Sequence, residues 1–196
     1  MLRAISERIT AKICSGDSSK NDIVAYGCEV FLSTVISILL LLILANLLLC
    51  TYYMITFILF FGVLRLSAGG YHAKNHLLCF CSYFITSYIL ISIAKQIPQI
   101  IVPYFILLCG IISIIVVYIF APADCENRPI KGNEIVIYKK RSRYTIWVLL
   151  AFIVSLSWTS HWHYSSVAMF AVLAESLTLI KIRAKESLND EIVEKN

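Results

Sequence analysis

The chain has 196 residues, 59% of them hydrophobic and only 15% charged, with a mean hydropathy of +0.80 and a formal net charge of +5. Soluble domains sit near half apolar and a quarter charged, so these values exclude a water-soluble globular protein and point to an integral membrane chain. No hydrophilic block is long enough to bury a core of its own, so a single domain over residues 1–196 is expected.

Seven cysteines, an odd number, are scattered through apolar segments rather than spaced as an extracellular framework. The first 22 residues are charged and lack an apolar core followed by a small-residue cleavage site, so no cleavable signal peptide is read there. Reduced thiols, at the cytoplasmic side or within the bilayer, are the expected state.

Residues 1–15 place Leu2, Ile5, Ile9 and Ile13 at helical spacing, with Arg3, Arg8 and Lys12 interleaved. This pattern predicts an amphipathic helix on the membrane surface, or a cap packed on the helix bundle. Residues 16–22 read as a polar turn. From 30 to 66 the chain is almost unbrokenly apolar. At about 1.5 Å per residue that run would make a helix of roughly 55 Å, against a hydrocarbon core of about 30 Å. It must be two spans, with a tight turn between Asn46 and Tyr53.

A third span is predicted over 77–94, followed by a turn punctuated by Pro98 and Pro103, and a fourth over 104–120. The longest polar connection, 122–143, carries Arg128, Lys131, Lys139, Lys140, Arg141 and Arg143. A fifth span over 144–158 and a sixth over 162–180 precede a charged tail, 181–196, helical at its start. The expected fold is an all-α integral membrane protein with six transmembrane helices, an N-terminal amphipathic helix, and both termini on one side. Of the 17 basic residues only Lys95 then falls on the opposite side, which marks the basic side as cytoplasmic. Tyr52, Tyr53, Trp158, Trp162 and Tyr164 fall at outer ends, where amphipathic rings prefer to sit. His161 and His163 at that end read as interfacial rather than metal-binding.

Between the second and third spans lies a polar island, from Arg65 to Cys79. It collects a cation (Arg65), a glycine pair (Gly69, Gly70), two imidazoles (His72, His76) and a thiol (Cys79), with Cys81 two residues on. Cysteine becomes a useful nucleophile when a base or a positive environment favours its thiolate. On one straight helix, residues seven apart share a face but are separated by about 10.5 Å of rise. His72 therefore reaches Cys79 only if the chain between them is bent, which the glycine pair makes plausible. His76, three residues from Cys79, needs no distortion and ranks ahead on spacing alone. A purely structural His–Cys pair remains an open reading at this point.

The segment Arg65-x4-Gly-Tyr-His-Ala-x5-Cys79 resembles the accessory gene regulator B (AgrB) family of membrane endopeptidases. The likeness continues in Tyr118-Ile-Phe-Ala-Pro and the Arg128-Pro129 pair beyond it, and again in Glu175-Ser-Leu-Thr-Leu-Ile180. The resemblance covers about residues 1 to 185, and it lies in the combination rather than in any one motif. It implies a cysteine endopeptidase of the bacterial cell membrane, with its active site on the cytoplasmic side. Its substrate would be an AgrD-like quorum-sensing propeptide. Cys79 would attack a peptide bond and release the propeptide's acidic tail, and an internal thiol or hydroxyl would then close a thiolactone or lactone ring. The resemblance makes His72 the base, against the spacing preference for His76. It also draws in Arg65, Gly70 and Glu175 as supporting residues.

Glu175 would orient the histidine or pair with Arg65, and a structural ion pair fits it equally well. Glu29 near the first span is either at the cytoplasmic edge or inside. Arg128, Lys131, Lys139 and Lys140 have the bland role of fixing topology, and the functional one of attracting an acidic substrate tail or anionic lipid. No cofactor or metal is expected, the bilayer is a partner, and a homodimer is suggested by the family. Nothing gives a basis for nucleic-acid binding. The rivals are a metal carrier using His72, His76, Cys79 and Cys81 as ligands, and a peptide exporter that cleaves nothing. A thiol–disulfide enzyme fits least, since Cys79-Phe-Cys81 lacks the two-residue spacing of that motif.

Overall fold

A backbone in lipid has no water to bond, so each long apolar run must satisfy its own N–H and C=O groups as helix. That demand outweighs the β-branched composition of stretches such as residues 111–117, which in water would favour strand. A computed structural model of the chain describes residues 18–69, 76–123, 133–159 and 161–194. The described residues form six helices and no strand: α1 (Ser18–Leu47), α2 (Thr51–Ala68), α3 (His76–Ala94), α4 (Val102–Phe120), α5 (Asn133–Ser157) and α6 (Trp162–Glu194). All except α5 carry a stretch long and apolar enough to cross a membrane. The molecule is an all-α, multi-pass membrane protein.

Two compact units divide the chain, Met1–Thr51 and Tyr52–Asn196. In the first, α1 begins at Ser18, so part of the expected polar turn at 16–22 is already helical. Ser, Asn and Asp side chains suit a helix start, and the polar segment extends α1 ahead of its apolar part. The expected break in the helix between Asn46 and Tyr53 is present. It is closed by the Cys50 N–H on the Ala45 carbonyl at 2.9 Å, with Leu49 held at a left-handed φ of 53°.

In the second unit α6 is the central element, and α3, α4 and α5 each pack on it. Its Val167, Ala168, Met169, Ala171, Val172, Ser176 and Leu179 are all buried. Small residues here, with Gly110 and Ser113 on α4, allow helices to approach closely, which is what drives association in lipid. Ser67, Ser87 and Ser176 satisfy their buried hydroxyls within their own helices, each donating to a carbonyl three or four residues back. By contrast α2 reaches its neighbours through large side chains. Tyr53 stacks on Tyr164 at 4.7 Å, and Phe60 meets Phe152 at 5.9 Å between centroids.

The fifth expected span needs correction. Helix α5 starts at Asn133, not at 144, so Lys139, Lys140, Arg141 and Arg143 ride on a helix rather than in a loop. Its apolar part, 144–157, is only about 21 Å long. A short span is accommodated when long cationic side chains at its end extend toward the headgroups. Ile146, Leu149, Leu150 and Ile153 are buried, the i, i+3, i+4, i+7 stripe of a helix packed on one side. The tail is helical as far as Glu194. The amphipathic helix expected over residues 1–15 lies outside the described residues.

Candidate active site

Helix α2 ends where the sequence turns from apolar to polar. Gly69 adopts a φ of 82°, a conformation that costs glycine little, and its N–H closes on the Arg65 carbonyl at 3.1 Å. The chain leaving α4 returns to this point, where the Ala123 N–H donates to the Ala68 carbonyl at 3.0 Å. A Cβ at position 69 would collide with the Ala123 carbonyl oxygen. Glycine is therefore required twice, once by the backbone angle and once by the approach of a second backbone. The joint ties the polar island to the Ala121-Pro122-Ala123 segment, whose first peptide bond is cis.

Just inside this joint Arg65 and Glu175 meet, with Nη1 3.5 Å from Oε2. Glu175 is fully buried, and its Oε1 has no hydrogen-bond partner among the described residues. The Arg65 guanidinium also lies 5.7 Å from the Phe61 ring centroid. A buried carboxylate persists only when paired, and removing one partner of such a pair costs about 3–5 kcal/mol. The pair therefore fastens α2 to α6 at the end where the island begins.

The aromatic contacts place Cys79 relative to this pair. Lys95, just past α3, lies 5.4 Å from the Tyr53 ring at the start of α2, so the two helices run antiparallel. Midway, Tyr83 of α3 packs edge-on against Phe57 and Phe61 of α2, at 5.9 and 4.9 Å. One turn forward on α2 from Phe61 is Arg65, and one turn back on α3 from Tyr83 is Cys79. The register therefore brings Arg65 and Cys79 to the same level, with Cys79 on the Tyr83 face of α3.

Cys79 is half-buried and Cys81 is exposed. Two residues apart, they point about 200° apart around the helix, so they do not converge on one ion as the metal-carrier reading requires. No group of three or more His, Cys, Asp or Glu that could hold a metal occurs among the described residues. His76 opens α3, though its side chain, like all of His72, Gly70, Arg128 and Lys131, lies outside the described residues. Lys139 and Lys140 are both exposed on α5.

Three features escaped the sequence reading. Tyr83 is one, although its position four residues after Cys79 was a readable same-face signal. The Gly69–Ala123 joint is another, and no local signal announces it. The third is the setting of Tyr118, named from sequence only as part of a motif and held between Arg143 and Trp147. The Arg143 guanidinium sits 4.5 Å from its ring centroid and donates to its carbonyl at 3.4 Å, while the Trp147 Nε1–H donates to its hydroxyl at 3.1 Å.

Arg65 and Gly69, the segment leading to Ala123, and Glu175 come from three distant parts of the chain, and they gather at one end of the second unit. The family model described as accessory gene regulator B matches residues 6–179. The chain belongs to this family. Accessory gene regulator protein B of Staphylococcus aureus strain JH9 is 30% identical over 124 residues, 61% of this chain and 61% of that protein. The match thus spans less than two thirds of that relative's length. A putative AgrB-like protein 2 of Clostridium perfringens strain 13 is 25% identical over 185 residues, 88% of this chain and 86% of its own. A putative AgrB-like protein of C. perfringens strain SM101 is 24% identical over 160 residues, covering 79% of this chain and 74% of its own. No solved structure matches the chain.

Proposed function

We propose that this protein is a membrane cysteine endopeptidase that cuts the C-terminal tail from an AgrD-like quorum-sensing propeptide and passes the remainder on as a cyclic signal. The observation that carries the reading is a half-buried cysteine at the start of α3, level with an Arg–Glu pair, in a chain of the accessory gene regulator B family. The Cys79 sulfur attacks the carbonyl carbon of the scissile bond. His72 takes the thiol proton and returns it to the departing amine, so the tail leaves and the peptide stays as a thioester. An internal thiol or hydroxyl of the peptide then attacks that thioester, closing the ring and regenerating Cys79.

Two physical arguments support ring closure over hydrolysis. The thioester conserves the energy of the cleaved bond, and a nucleophile on the same peptide has a high effective concentration. A site at the membrane edge also restricts competing water. In the second unit Arg65, Lys139, Lys140, Arg141 and Arg143 lie toward one end and Lys95 at the other, and the basic end is read as cytoplasmic. The exposed Lys139 and Lys140, with Arg128 and Lys131, would draw an acidic tail to that end.

The test is mass spectrometry of the protein co-expressed with its propeptide, native and Cys79→Ala side by side. The expected result is a hydroxylamine-sensitive peptide adduct on Cys79 and a shortened peptide, in the native sample alone. Cleavage that persists in Cys79→Ala would remove Cys79 from the chemistry.

A further inference from the structure

We propose that the junction of α4 and α5, at the basic end of the second unit, is a binding site for one anionic phospholipid. Arg143, flanked by Lys139 and Lys140, holds its phosphate, and the apolar strip beside Tyr118 and Trp147 holds an acyl chain. The inference goes beyond the peptidase reading and does not depend on it.

An arginine at the edge of a membrane span ordinarily extends its flexible stem toward headgroups and water. Arg143 is instead folded onto α4. Its guanidinium lies 4.5 Å from the Tyr118 ring centroid and donates through Nη2 to the Tyr118 carbonyl at 3.4 Å. The Trp147 Nε1–H holds the same tyrosine by its hydroxyl, at 3.1 Å. The cation is thus fixed in place before any ligand arrives, and the carbonyl engages only one of the five N–H donors of the guanidinium. Lys139 and Lys140 stand one turn before Arg143, at i−4 and i−3, and both are exposed. Among the described residues no carboxylate pairs with any of the three. Three unneutralised cations on one face, one of them preorganised, match a phosphate diester.

The apolar surface beyond the cations selects a lipid over a soluble anion. Tyr118 meets Arg143 and Trp147, and Gly110 lies against Leu150, so the two helices run antiparallel and both lead away from the basic end. Along that direction Tyr118 is followed on its face by Ile115 and Ile111, and Trp147 by Val154, all exposed. An acyl chain along this strip would be continuous with a phosphate at Arg143. The position suits a headgroup as well, since Arg143 is the last charged residue before the apolar part of α5. That part is short for the roughly 30 Å hydrocarbon core, and a bound headgroup would anchor its end. An acidic peptide would use the cations and leave the apolar strip uncovered.

The experiment titrates the full chain in detergent with phosphatidylglycerol or phosphatidylcholine of the same acyl chains, and reads bound lipid by native mass spectrometry. The native protein should hold one phosphatidylglycerol about tenfold or more tightly than phosphatidylcholine. Arg141 separates a site from a diffuse field, because it is exposed and lies two residues, or about 200° around the helix, from Arg143. A diffuse field is worth about fivefold per cation wherever the cation sits, so it would make Arg141→Gln and Arg143→Gln equal. A site requires Arg143→Gln to weaken phosphatidylglycerol about 10- to 100-fold and Arg141→Gln by about twofold at most. Arg143→Lys should restore only part of the affinity, because it returns the charge without the fork. Arg143→Gln also loosens the contacts of Tyr118, so Lys140→Gln, which leaves those contacts intact, gives a second reading and should weaken binding more than Arg141→Gln. Thermal midpoints report whether each variant is folded. Inorganic phosphate and an acidic peptide, at the concentration of the lipid, should not displace it. Equal losses in Arg141→Gln and Arg143→Gln, equal retention of the two lipids, or displacement by phosphate or peptide would overturn the proposal.

Discussion

Gly69 shows how much one residue can carry. Its left-handed φ of 82° and the Ala123 carbonyl against it make any side chain costly. Gly69→Ala should destabilise the protein by about 1–2 kcal/mol from the backbone angle alone, with the collision adding to it. A lower thermal midpoint in detergent, read by tryptophan fluorescence, checks this, and an unchanged midpoint would mean the α4 exit does not press on α2. The sequence flagged the glycine pair at 69–70 as a place where the chain can bend. It could not say that Gly69 is held between two backbones, because Ala123 is 54 positions away. Arg65 and Glu175 were both legible as candidates, but their separation of 110 positions hid which of two roles Glu175 takes. The pairing is observed, and a bond to the histidine is not described.

At the scale of elements, α4 and α5 are joined by a knot at Tyr118. Tyr118→Phe keeps the ring under Arg143 but removes the acceptor for the Trp147 N–H. The expected loss is about 0.5–1 kcal/mol, near the low end for a hydrogen bond, because both side chains are exposed. Arg143→Ala removes both the cation over the ring and the bond to the Tyr118 carbonyl, and should cost more. Thermal midpoints of the two variants in the same detergent test that order, and equal midpoints would reduce the knot to a surface contact. The α5 result also shows why its start was misjudged. Lys and Arg are good helix formers, so a charge run marks the membrane edge without marking the helix end. The sequence reading treated the two boundaries as one.

For the whole molecule, the described basic residues of the second unit give a topological prediction. Single cysteines placed at Lys95 and Lys140 in a cysteine-free background should label from opposite sides. Lys95→Cys should react with a membrane-impermeant maleimide in intact cells, and Lys140→Cys only after the cells are opened. The reverse pattern would invert the orientation and remove the cytoplasmic site with it.

Hydropathy alone determined the membrane class, the helical fold and the break after α1, because lipid leaves a long apolar backbone no other way to satisfy its hydrogen bonds. Charge placement gave the expected sidedness, and the residues of the polar island gave the expected chemistry. These are local properties, readable within one segment. What only the tertiary structure decided is which segments meet: Gly69 with Ala123, Arg65 with Glu175, and α3 in the register that sets Cys79 level with Arg65. Those contacts join residues far apart in the chain, and they depend on helix packing through small residues and large aromatic rings, which no single segment encodes.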